Sequence, residues 1–202
     1  MFNASAATNL TYKLNCKRLT EKQLDTFNGI KKFRDRFEYL NEQGTDVEFV
    51  KVDNDTFNFN LKMVTAEMPM ILGEMLKVYY RGQANELGKI AVLLGNRKIV
   101  GTLDDVTYLR QNIKDLLTNI ALGMVPGTKW TGDFEATGGY IIVKDDGDVV
   151  CYHIYNRNAF RNYMIDNTRF DTPSTSRHGF GSIYEENSEQ WLKLGVQIRF
   201  LR

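Results

Sequence analysis

The chain has 202 residues, of which 43% are hydrophobic and 25% charged, with 12 Phe, 10 Tyr and only 3 Pro. That composition excludes general disorder, and the length suffices for one domain with a real core or two small ones. Lys and Arg number 26 against 25 Asp and Glu, a net charge of +1, which excludes indiscriminate electrostatic binding to nucleic acid.

No apolar run approaches the ~20 residues needed to cross a bilayer. The start, Met1-Phe-Asn-Ala-Ser5, lacks a basic stretch followed by an apolar core. A cytoplasmic protein with no membrane contact is expected. Cys16 and Cys151 lie too far apart in sequence to suggest a disulfide scaffold or a cysteine-rich zinc site, and both are read as buried small apolar side chains.

Leu10, Tyr12, Leu14 and Cys16 alternate with Lys13, Asn15 and Lys17, the period of a half-buried strand. Thr20 with Gln23 forms a capping box opening a short helix that Gly29 interrupts. Ile30, Phe33, Phe37 and Leu40 recur at helical spacing, predicting an amphipathic helix over 30–42 with Lys31, Lys32, Arg34 and Arg36 on its wet side. Val47 to Val52 reads as a short strand. Asp55 is expected to cap a helix to about Thr65, Pro69 to sit in the first turn of another reaching Tyr80, Asn85 to cap a third, and Leu103 to Leu122 to form a fourth.

Beyond residue 124 the period changes. Tyr140-Ile-Ile-Val-Lys144 and Val149-Val-Cys-Tyr-His-Ile-Tyr155 flank Asp145-Asp-Gly-Asp148, a hairpin signal because Asp and Gly accept the turn's positive φ angles. Asn156 or Asn158 caps a short helix whose Phe160, Tyr163 and Met164 face inward, and strands are expected near Gly181 to Tyr184 and Trp191 to Phe200. The fold class is α+β: a mostly helical body with an N-terminal strand over 1–124, and a β-hairpin and helix subdomain over 125–202 as the candidate recognition region.

Charge is distributed unevenly. Residues 1–36 hold eight basic residues against three acidic ones, an excess of +5, while 133–148 run the other way. Arg157 and Arg161, four apart, share a helix face and present planar donors that suit phosphate oxygens or the acceptor edge of guanine. Pairing with surface carboxylates such as Asp166 and Asp171 is the competing reading. The loop Thr172-Pro-Ser-Thr-Ser-Arg-His-Gly-Phe-Gly181 offers hydroxyl, guanidinium and backbone N–H donors to an anion.

Magnesium-dependent nucleases of the PD-(D/E)xK type need acidic residues and a lysine two positions after the last acid. Asp55 with Asn60-Leu-Lys62 falls in a predicted helix, and Glu48 precedes Lys51 by one residue too many. The order His153, Asn167, His178 is similar to that of His-Asn-His nucleases, but His153 has no adjacent acidic ligand. No metal ligands are therefore assigned in this chain.

Taken together, Phe2-Asn-Ala-Ser-Ala-Ala-Thr-Asn9, Asn60-Leu, Met68-Pro69, Leu122-Gly-Met-Val-Pro126 with Trp130, the hairpin, the Ser/Arg/His loop and Gln197-Ile-Arg-Phe200 resemble the HpaII-type restriction endonucleases. The resemblance is strongest from Gly138 to Phe200. It implies a type II enzyme that cuts duplex DNA at CCGG with Mg²⁺ on a PD-(D/E)xK-type fold. It also implies that the active-site lysine lies upstream, in a Ser-Ile-Lys-Ser-like run, so that this chain is a C-terminal portion inactive by itself. The DNA contacts expected are Arg157, Asn158, Arg161, Ser174, Ser176, Arg177 and His178, with Asn3, Ser5, Thr8 and Asn9 lining the approach to the active site. A homodimer is compatible with this reading. The alternative is a noncatalytic DNA-binding or partner-binding module.

Overall fold

In the computed structural model, which describes residues 8–97, 105–134, 140–143, 146–152 and 156–201, the first alternation becomes β1 (Thr8–Asn15). The capping box opens α1 (Glu21–Gly29): the Thr20 hydroxyl accepts the Gln23 N–H, and the Gln23 side chain accepts the Thr20 N–H at 2.8 Å. Thr20→Ala is expected to cost about 1 kcal/mol in a urea titration. An unchanged midpoint would assign the helix start to packing alone.

The second helix, α2 (Phe33–Glu42), begins three residues later than the periodicity suggests, with Lys32 in an extended conformation as its N-cap. The strand β2 (Asp46–Val52) follows, then α3 (Asp55–Val64). Asn54, not Asp55, caps α3, its side chain accepting the Phe57 N–H at 2.9 Å. Pro69 lies in the first turn of α4 (Met68–Tyr80), where a missing N–H costs no helical hydrogen bond. Next comes α5 (Leu87–Arg97), which starts two residues after Asn85; the Asn85 carbonyl instead accepts the Phe170 N–H at 2.8 Å. Asp105 caps α6 (Val106–Ala121).

The expected hairpin is present as β3 (Tyr140–Val143) and β4 (Val149–Tyr152), with Val143 opposite Val149 and Gly147 at φ +89° in the turn. Asn156 caps α7 (Arg157–Asp166), with Phe160 and Met164 buried. Four short elements close the chain's path into its last strand pair. These are β5 (Thr168–Phe170), the one-turn α8 (Thr175–His178), β6 (Ile183–Glu186) and β7 (Glu189–Val196), followed by β8 (Ile198–Phe200) against β5. Neither β5 nor α8 has a sequence signal long enough to announce it.

Helices accompany an antiparallel sheet of order β2-β1-β7-β6, an α+β arrangement. The longest-range pairing sets the frame: Thr8 lies opposite Val196 and Lys13 opposite Trp191, so strands from the two ends of the chain share one ladder across residue 124. Leu10, Tyr12, Leu14, Leu192 and Leu194 are buried on one face of this sheet, where the Tyr12 hydroxyl donates to the Gly73 carbonyl of α4 at 2.8 Å. Burial raises the Tyr12 pKa well above its ordinary value, so the phenol remains a donor. Gly73 also lets α4 pack closely on β2, since a Cβ there would stand 2.5 Å from the Phe49 ring. Cys16, read as buried, is exposed and has φ 72°, since it leaves β1 as the strand ends. Among the described residues no helix is long and apolar enough to cross a membrane.

Candidate nucleic-acid interface

The opposite face of the sheet is polar. Side chains alternate across a strand, so the positions between the buried leucines all emerge on that side. Thr11 pairs with Lys193 and Lys13 with Trp191 across β1 and β7, and Trp191 pairs with Tyr184 across β7 and β6. The Lys193 ammonium lies 5.8 Å from the Tyr184 ring centre, and that of Lys13 lies 6.0 Å from Trp191. Asp53, just past β2, accepts from the Thr11 hydroxyl and holds Lys193 at 3.1 Å. The hydrogen bond to Asp53 raises the Lys193 pKa, so this lysine stays cationic. Burial raises the Tyr184 pKa, with the Lys193 charge opposing it, and the phenol stays neutral.

At one margin of this face sits the predicted loop. Ser174 caps α8 by accepting the Arg177 N–H at 3.4 Å, and Gly179 ends it at φ 60°, where a side chain would be strained. Ser174, Ser176 and Arg177 are exposed and His178 is half-buried. The Asn9 side chain donates to the His178 carbonyl at 2.9 Å, joining two expected contacts 169 residues apart. Between α8, the start of α2 and the β6–β7 pair runs an open groove of about 550 Å³, lined by Lys31, Thr175, Ser176, Ser182, Tyr184 and Lys193 among others. Cations, hydroxyls and an aromatic ring along one groove are the donor set that phosphate and sugar contacts use.

The remaining expected residues fall elsewhere. Thr8 is buried at 4% exposure within β1, and Asn3 and Ser5 lie outside the described residues, as does His153. Arg157 and Asn158 are exposed in the first turn of α7. Arg161, one turn on, is held by Asp115 at 2.7 Å and the Gln111 side chain at 3.1 Å. The carboxylates suggested as partners are engaged otherwise: Asp166 with Arg110, Asp171 with Arg199.

Half of the eight amino-terminal basic residues are likewise spent on the protein itself. Lys13 pairs with Glu189, Arg18 with Glu185, and Arg34 with Asp35 and Glu38. Arg36, placed on the wet side by periodicity, is half-buried and donates to the carbonyls of Ile30, Gly181 and Asn28. Sequence reasoning missed Lys31 as distinct from its neighbours, and also Tyr184 and Lys193. The alternation of Leu192, Lys193 and Leu194 carried a signal for the last, since a lysine between two buried leucines must emerge on the opposite face.

The described residues do not fit a magnesium ion. Among them no three His, Cys, Asp or Glu side chains come together, and Asp53 is already committed to Thr11 and Lys193.

The HpaII restriction endonuclease family model matches residues 1–200. The type II restriction enzyme HpaII of Haemophilus parainfluenzae is 39% identical over 203 residues, covering 100% of this chain and 56% of that protein's length. No solved structure shows a significant match. With a relative aligned along its whole extent and a family model spanning all but its last two residues, the chain belongs to the HpaII family of restriction endonucleases.

Proposed function

We propose that this chain forms the DNA-binding part of a type II restriction endonuclease that hydrolyses duplex DNA at CCGG. The observation that carries the reading is the Asn9–His178 contact beside the groove of Lys31, Ser176 and Lys193. It brings the amino-terminal segment and the Ser/Arg/His loop to one cationic surface. In this reading Ser174, Ser176 and Lys31 hold phosphates, Lys193 is shared between Asp53 and the phosphates, Arg177 and His178 reach base edges, and Asn9 fixes the loop. Asn3, Ser5 and Thr8 line the approach to the active site, and Arg157 and Asn158 make a second contact with Arg161 behind them. The family chemistry uses Mg²⁺ with carboxylates and a lysine outside the described residues, and a palindromic target suits two copies of the chain.

Fluorescence anisotropy with a CCGG duplex and a scrambled duplex tests the assignment. Arg177→Ala is expected to cost roughly 1–3 kcal/mol on the CCGG duplex and to narrow the difference between the two. Lys193→Gln is expected to weaken both equally and to reduce the salt slope by about 1. Weak, salt-insensitive binding of the parent chain to both duplexes would overturn the reading. With Mg²⁺ and a CCGG-bearing plasmid the chain alone is expected to leave the DNA intact, and site-specific fragments would place the hydrolytic residues within it.

A further inference from the structure

Away from the groove, α3, the loop following α6 and the first turn of α7 together expose a cluster of rings. Phe59 is 40% exposed, Phe134 41% and the neighbouring Met63 side chain 45%. Two contacting groups, joined by the adjacency of Lys129 and Trp130 in the chain, make up the surface. Trp130 and Phe134 have ring centres 6.0 Å apart, the Lys129 ammonium lies 5.3 Å from the Phe59 ring, and the Arg157 guanidinium 5.6 Å from that of Phe134.

Three features set this surface apart from stray exposed apolar side chains. It is held in place, because the buried Asn60 donates to the Val125 and Thr128 carbonyls and accepts the Trp130 N–H, all at 2.9 Å, tying the loop to α3. Trp130 is further fixed by its indole N–H on the Asp133 carbonyl at 3.0 Å. Its two cations are uncommitted: Lys129 and Arg157 have no carboxylate partner among the described residues, where Arg18, Arg34, Arg81, Arg110, Arg161 and Arg199 each have one. Among the described residues each cation rests on a ring and no carboxylate holds it.

Exposed rings with unpaired cations at their faces are the chemistry of a strand with its bases splayed out, where phosphates take the cations and bases stack on the rings. We propose that Phe59, Trp130 and Phe134, with Lys129 and Arg157, form a stacking platform for unpaired nucleotides of a DNA strand. On binding, Lys129 and Arg157 move from ring to phosphate, and the uncovered faces of Phe59 and Phe134 receive bases. The inference rests on the chain being a DNA-binding protein; the surface shares Arg157 with the second contact proposed above but lies apart from the groove.

The chain contains two tryptophans, so Trp191→Phe leaves Trp130 as the sole indole reporter. Titrating this variant with an oligothymidylate is expected to quench Trp130 fluorescence. Phe59→Ala and Phe134→Ala, both at exposed positions, should each weaken the titration about tenfold. Phe134→Leu, which keeps apolar bulk without a π face, should weaken it nearly as much. Lys129→Gln and Arg157→Gln should lower its salt dependence, while Lys193→Gln leaves it unchanged and weakens only duplex binding.

An absent quench, or one indifferent to Phe59→Ala and Phe134→Ala, would overturn the platform while leaving the groove assignment to stand on its duplex data. Loss of self-association in Phe134→Ala without loss of oligothymidylate binding would also overturn it, by making the patch a contact between copies. Duplex binding that failed alongside an intact, ring-dependent quench would sink the groove and retain the platform.

Discussion

Replacing Asn60 by alanine is expected to lower the unfolding free energy by about 3 kcal/mol, read as a shift of the urea midpoint. Asn60 is 0% exposed and satisfies two carbonyls and one N–H of the 125–130 segment. Each neutral hydrogen bond contributes only about 1 kcal/mol net, but a buried partner left unpaired costs ~1–3 kcal/mol. Alanine abandons all three at once. The neighbouring loop has exposed stretches, so water will recover part of the loss, which is why the figure stays well below the sum of three orphaned groups. Loss of the tie also frees the Trp130 segment from α3, so Trp130 emission should shift toward that of a solvated indole before global unfolding. A midpoint within 0.5 kcal/mol of the parent would show that the loop is held by its apolar contacts and that the asparagine is incidental.

Arg36→Lys is expected to have an effect of similar size, about 2–4 kcal/mol, in spite of conserving charge. The guanidinium donates to Ile30 at 2.7 Å, to Asn28 at 3.1 Å and to Gly181, in three directions that a planar fork reaches together and a lysine ammonium does not. It also lies 5.5 Å from the Phe27 ring and 5.3 Å from that of Phe33. Burial lowers its pKa from the usual arginine value without threatening its charge. Gly181 permits the arrangement: its φ is +99°, and a Cβ there would meet Phe33 at 2.8 Å. Three of the five guanidinium N–H groups are taken by carbonyls that tie α2 to the segments around Asn28 and Gly181, so Arg36 borders the groove mainly as a structural tie. Arg36→Lys should therefore lower stability while leaving the salt slope of duplex binding near the parent value, whereas Lys31→Gln should do the reverse. A salt slope that falls with Arg36→Lys at full stability would reassign Arg36 to the DNA contacts.

The same contrast shows what local pattern conveys. Thr20 and Gln23 specify a helix start because both partners lie within one turn and the capping bonds are local. The Asp and Gly between Val143 and Val149 specify a hairpin for the same reason: the turn's φ angles are set by residues in the turn. Leu10, Tyr12 and Leu14 specify a half-buried strand, but not its neighbour, which is drawn from residues 189–196. Asn54 rather than Asp55 caps α3 because either side chain suits the role and the packing of Phe57 and Leu61 sets the rotation of the helix.

For the candidate site the limit is sharper. Arg157 and Arg161 are the same residue type one turn apart on one helix, yet one rests on an exposed ring and the other is neutralised by Asp115 from α6. Nothing in their spacing distinguishes them. Residue type and period sufficed for the longer strands and helices, though not for β5 or α8, and for the polar character of the Ser/Arg/His loop and the family to which the chain belongs. Which cations stay unpaired, that Asn9 reaches the His178 carbonyl, and that Lys193 and Tyr184 share a face with Thr11 were decided by packing. The reason is range: a hydrogen-bonded turn is settled by neighbours along the chain, whereas the neutralisation of a charge depends on which distant carboxylate the assembled core brings within about 4 Å.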